Sequence, residues 1–187
     1  WWLFKYFGIE NVSLLNGGLK NWVKEGHEVQ SGPMRNNPNS AILIEPVQIQ
    51  INSAFYRNLN DVLNNLTSTK EQVIDARNAD RFAGIVQEPW PVVKTGRIPK
   101  SYNLDWMHCI NLSGDGLYKS ADELKNLFEK SGIDFSLPFI ASCGSGVTAS
   151  VLFFSAYLIG KTDISVYDGS WAEWGAREDT PYECDKK

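Results

Sequence analysis

Apolar residues along this chain follow two rhythms. Short, nearly unbroken runs at Gln72–Ala76, Pro138–Ser142 and Ile164–Tyr167 read as strands buried on both faces. Ala41–Ile44 and Val47–Ile51 are strand-like as well. Elsewhere the apolar positions recur at helical spacing. Leu59, Val62, Leu63 and Leu66 mark one face of a helix over Asn58–Leu66. Leu124, Leu127 and Phe128 mark another over Ser120–Lys130, opened by a Ser120/Glu123 capping box. Ala149–Ile159 is long and apolar enough for a buried helix. Strands alternating with helices predict an α/β domain with a mostly parallel central sheet flanked by helices. In such sheets the ligand site lies beyond the carboxyl ends of the strands.

The two ends of the chain share a pattern. Trp1–Trp22 aligns without a gap on Phe153–Trp174, so that Gly8, Ser13, Gly17 and Trp22 meet Gly160, Ser165, Gly169 and Trp174. Each copy predicts a helix stopped at a glycine, then a short strand (Val12–Leu15, Ile164–Tyr167). A tight turn follows, Asn16-Gly17-Gly18 or Asp168-Gly169-Ser170, with glycine supplying a positive φ. A short helix then carries the tryptophan inward. The first copy lacks what precedes the second. The expected organisation is therefore the C-terminal part of one domain (1–32), a linker (33–40) and a complete domain (41–187). Gly32, Pro33 and Pro38 mark the linker region.

Composition narrows the function. The chain has 187 residues, 43% of them hydrophobic, enough for a core without disulfides or metals. A net charge of −4 and the absence of basic runs argue against nucleic-acid partners. No apolar stretch reaches the roughly 18 residues of a membrane span. Three widely spaced cysteines, Cys109, Cys143 and Cys184, fit neither a disulfide framework nor a zinc site. They point to a reducing, cytoplasmic setting.

The candidate chemistry centres on Cys143. It opens Cys143-Gly144-Ser145-Gly146-Val147-Thr148, between the strand-like Leu137–Ser142 and the helix-like Ala149–Ile159. A cysteine at a strand-to-helix junction faces unpaired backbone N–H groups and the positive end of the helix dipole, which favour thiolate. A buried structural cysteine and a phosphate cradle are the alternatives.

These residues resemble the rhodanese superfamily, and within it the two-domain sulfurtransferases of the 3-mercaptopyruvate and thiosulfate type. Cys143–Thr148 matches the mercaptopyruvate group's active-site loop, and Tyr167–Trp174 resembles the family's C-terminal motif. Val73–Arg77 followed by Arg81-Phe82-Ala83-Gly84 resembles the catalytic domain's strand and substrate loop. Gly96-Arg97-Ile98-Pro99 stands where the family has a Gly-His-Ile-Pro-Gly segment. The resemblance implies that Trp1–Gly32 ends a non-catalytic rhodanese-like domain and that 41–187 is the catalytic one. It implies that Cys143 is a nucleophile carrying sulfur as a persulfide. Gly144, Gly146, Val147 and Thr148 would cradle the anionic sulfur, Ser145 would assist proton transfer, and Arg81 would hold the donor's anionic end. Asp75 and Arg77 would form a structural ion pair. No cofactor or metal is implied. Partners would be a small anionic sulfur donor and a thiol, cyanide or thioredoxin acceptor; the oligomeric state is not legible.

Three departures matter. Trp90 stands where the mercaptopyruvate group has a second arginine, with Lys94 and Arg97 as candidate replacements. Gly144 and Ser145 replace the bulky, often basic pair of thiosulfate enzymes. The histidine and aspartate proposed to work with the loop serine belong to the first domain, outside the matching part of this chain. Rhodanese-fold phosphatases carry an arginine six residues after the cysteine; here that position is Ala149, which argues against phosphatase chemistry. A thiosulfate-specific enzyme and a persulfide carrier without turnover are the alternatives to a mercaptopyruvate enzyme.

Overall fold

Among residues 1–32 and 48–185, which the computed structural model describes, seven α-helices and two short 3-10 helices surround one sheet; α4 (Ala79–Phe82) is the short helix that carries Arg81. The five strands are β1 (Tyr56–Arg57), β2 (Gln72–Asp75), β3 (Tyr102–Asn103), β4 (Phe139–Ser142) and β5 (Ile164–Tyr167). They lie in the order β1-β5-β4-β2-β3, and each pairing is parallel. Pleating sends alternate residues to opposite faces. Val73, Ile140 and Tyr167 face one layer; Ile74, Phe139, Ala141, Ile164 and Val166 face the other.

The first layer holds α3 (Leu59–Ser68) and α7 (Ser170–Trp174), with Val62, Trp171 and Trp174 buried against the sheet. Leu59, Leu63 and Leu66 pack beside them, as their spacing predicts. The second layer holds α5 (Ala121–Lys130) and α6 (Ala149–Leu158). Leu124 and Phe128 of α5 are fully buried, and the Ser120/Glu123 capping box forms. Both faces of the sheet are thus covered, which is why its strands are continuous apolar runs.

The repeated ends agree in outline. α1 (Trp2–Tyr6) and α6 each run into a glycine at positive φ, Gly8 at 77° and Gly160 at 86°. α2 (Gly18–Lys24) and α7 follow in matching positions. Trp1 packs on the rings of Phe154 and Tyr157, so the first copy leans on α6.

Several local expectations are corrected. Val12–Leu15 forms no strand, because no neighbouring strand among the described residues supplies its ladder; its counterpart β5 sits between β1 and β4. Within Val47–Ile51, residues 48–51 are not a strand either, and Val47 lies outside the described residues. Gln50 N–H instead donates to Phe7 O at 3.2 Å, and Asn52 N–H to Tyr6 O at 2.8 Å, satisfying carbonyls at the end of α1. Ala41–Ile44 and the linker 33–40 lie outside the described residues. Trp22 does not point inward; it is 36% exposed and packs on His27. In the second turn Ser170, not Gly169, takes the positive φ, at 48° against −57°.

Candidate active site

β4 is the central strand, and its carboxyl end leads directly into the Cys143 loop. Gly146 turns the loop at φ 81°, where a Cβ would overlap the Asp168 carbonyl oxygen. Only glycine fits both demands. The loop is anchored to α7 through its backbone. Cys143 N–H donates to Ser170 Oγ at 3.0 Å, Trp171 N–H to Cys143 O at 3.0 Å, and Ala172 N–H to Gly144 O at 2.7 Å. The N–H groups of residues 144–148 donate to no acceptor among the described residues. Five consecutive unpaired donors ahead of α6 make a nest for negative charge.

Cys143 is 1% exposed and forms the floor of a cleft of about 290 Å³. Gly144, Ser145, Val147 and Thr148 form the loop side, Arg81 and Trp90 the second side, and Asp105, Trp106 and Met107 the third. Ser145 and Val147 are exposed at the rim, whereas Gly146 is buried beneath it. Ser170 Oγ lies 4.0 Å from Cys143 Sγ and donates to Tyr167 O at 2.8 Å. A serine held at positive φ costs on the order of 1–3 kcal/mol, and what it secures here is a hydroxyl beneath the Cys143 loop. Cys109 lies outside the cleft, and burial pushes its thiol up to about 11.

A line of charges closes the arginine side. Asp75, at the end of β2, takes Arg77 Nε at 3.1 and 3.0 Å and Nη2 at 2.7 Å, the ion pair expected from sequence. Arg77 Nη1 donates to Glu88 Oε1 at 2.7 Å, and Arg81 donates to both oxygens of the same carboxylate. Both guanidiniums lie over indole rings, Arg77 on Trp171 at 4.8 Å and Arg81 on Trp90 at 5.3 Å.

The structure separates the candidate residues. Cys143, Gly144, Ser145, Val147, Thr148, Arg81 and Trp90 come together, while Lys94 and Arg97 do not. Lys94 Nζ is held by the carbonyls of Glu178 and Thr180 and by Thr180 Oγ1. Arg97 pairs with Asp185 and Glu183 over the Phe82 ring. Neither replaces a second arginine, because the C-terminal segment has already taken each cation. Sequence reasoning missed Glu88, Ser170 and Trp106. Glu88 left one signal: it is the only acidic residue between Arg81 and Trp90.

Trp90 also dictates its neighbour. A Cβ at Gly144 would overlap the Trp90 ring and Arg81 Nη2. Gly144→Ala should therefore cost about 1–3 kcal/mol in thermal unfolding, as overpacking does. The double variant Gly144→Ala/Trp90→Ala should show a favourable coupling of about 1 kcal/mol. Strict additivity would show that the two residues do not compete for space.

A five-stranded parallel sheet with a cysteine loop at the end of its central strand defines the class. The chain belongs to the rhodanese-like domain family, whose sequence model matches residues 58–177. It is 40% identical over 177 residues to 3-mercaptopyruvate sulfurtransferase of Mus musculus, an alignment covering 95% of this chain and 57% of the relative. It is 42% identical over 178 residues to thiosulfate sulfurtransferase of Rattus norvegicus, with the same coverage. The chain thus spans 57% of the length of these curated relatives. Among solved structures, the anaerobic ergothioneine biosynthesis enzyme of Chlorobium limicola, in complex with trimethyl histidine, superposes with a TM-score of 0.86 at 25% identity. That match covers 100% of this chain and 44% of the other. Among the described residues no helix is long and apolar enough to cross a membrane.

Proposed function

We propose that this chain carries the catalytic part of a sulfurtransferase in which Cys143 holds the transferred sulfur as a persulfide. The observation that carries the reading is the buried cysteine on the floor of the cleft, followed by five N–H groups without acceptors among the described residues. Cys143 thiolate attacks the sulfane sulfur of thiosulfate, the S–S bond breaks, and sulfite leaves with the electron pair. With 3-mercaptopyruvate the C–S bond breaks instead, and the departing pyruvate enolate takes up a proton, for which Ser145 is the assisting residue. An acceptor thiolate or cyanide then attacks the outer sulfur and returns Cys143 as thiolate. The loop dipoles stabilise the anionic sulfur throughout, as oriented donors do at other nucleophilic sites. Acceptors are small thiols, cyanide or thioredoxin, and the setting is a reducing cytoplasm.

We favour 3-mercaptopyruvate as donor, because Gly144 and Ser145 touch the chemistry whereas Trp90 touches only binding. Comparing kcat/KM for the two donors tests this, and a higher value for thiosulfate would reverse it. Trp90→Arg should raise kcat/KM for mercaptopyruvate by about tenfold, the worth of one charge-assisted carboxylate contact. An unchanged value would mean that Arg81 alone suffices.

A further inference from the structure

Arg77 and Arg81 differ in what they leave unpaired. Arg77 is enclosed, with Asp75, Glu88 and the Gly96 carbonyl accepting from all three of its nitrogens. Arg81 is gripped along one edge only. Its Nε donates to both Glu88 oxygens at 3.2 Å and its Nη2 to Oε2 at 2.5 Å, while its Nη1 donates to no acceptor among the described residues. The Arg81 side chain keeps 22% exposure, against 1% for Glu88 and 0% for Arg77. Arg81 lines the same cleft as Cys143.

We propose that Glu88 is a positioning residue for the donor's anionic end: shared between Arg77 and Arg81, it fixes the Arg81 guanidinium with its Nη1–Nη2 edge unoccupied and partly neutralises its charge. This deepens the sulfurtransferase reading and rests on it. The first half-reaction replaces one anion by another, donor by pyruvate or sulfite. A fully charged, loosely held arginine would bind both tightly and orient neither, and uniform binding does not raise kcat. An arginine braced by Glu88 orients the donor and still releases the product.

The test uses Glu88→Gln and Glu88→Asp. Binding of pyruvate and of sulfate, as non-reacting anions, is followed by isothermal titration calorimetry. Steady-state kcat and KM are measured with both donors, and thermal melting reports the folded state. Glu88→Gln should bind both anions about five- to tenfold more tightly, as removal of one nearby charge predicts. Its KM should fall in step, and its kcat should fall by on the order of tenfold as orientation is lost. Glu88→Asp keeps the charge but falls short of one arginine; its anion affinity should stay within about twofold of wild type while kcat drops. Unchanged or weaker anion binding in Glu88→Gln, with kcat following only the folded fraction, would overturn the proposal. So would Glu88→Asp matching wild type in every constant, and that arm decides the matter if Glu88→Gln does not fold. A wild-type protein that forms no persulfide with any donor defeats the sulfurtransferase reading, while the calorimetry still decides the role of Glu88.

Discussion

Cys143→Ser is expected to eliminate sulfur uptake. After incubation with thiosulfate or 3-mercaptopyruvate, intact mass of the wild type should rise by one sulfur (about 32 Da), and the variant should gain nothing. Turnover should fall on the order of 10⁴-fold or more, since a nucleophile's loss removes the covalent route entirely. The reasoning is local. Cys143 is the cysteine that lines the cleft, and a serine hydroxyl of similar volume neither ionises near neutral pH nor forms a persulfide. Cys109 cannot substitute for it, being fully buried with its thiol pushed up to about 11. Stability should change little, because the backbone bonds holding residue 143 to Ser170 and Trp171 do not involve the sulfur. A variant that still acquires the mass would place the sulfur on another cysteine and defeat the assignment.

Arg77→Ala should have the largest effect on folding, about 3–5 kcal/mol, the usual result of removing one partner from a buried ion network. The Arg77 side chain is 0% exposed and stands between Asp75 and Glu88, whose side chains are 3% and 1% exposed. Without it two buried carboxylates face each other, the Gly96 carbonyl loses a donor, and Trp171 loses the guanidinium on its ring. For a chain of this size the loss corresponds to a fall in Tm of about 6–20 °C. Arg77→Lys keeps the charge but cannot bridge both carboxylates, and should fall between the two. A melting temperature of Arg77→Ala within about 2 °C of wild type would show that the network contributes little to stability.

Much of the fold was legible because periodicity survives in one dimension. α3, α5 and β2, β4 and β5 fall where apolar spacing predicts them, within a residue or two at their ends. β1 and β3 were missed, since two-residue strands are too short to carry a period. Val12–Leu15 was read as a strand because its pattern matches that of β5. A strand, however, exists only beside a hydrogen-bonded neighbour, and pattern alone cannot supply one. Ser170 was missed for a related reason: the turn motif suggests glycine at positive φ, but the hydroxyl beneath Cys143 recruits the neighbouring residue instead.

By itself the sequence determined that a cysteine would stand between a buried strand and a buried helix, with glycines on the loop and an arginine in reach of a family motif. Those features depend on neighbours within a few residues, so they can be read along the chain. Only the tertiary structure decided which charges meet. Lys94 and Arg97, equally cationic on paper, are taken by the segment around residues 178–185. Glu88 comes instead to lie between Arg77 and Arg81. Ion pairs and close packing such as Trp90 against Gly144 are set by distances in space, and a buried charge is held by whichever partner the fold brings to it.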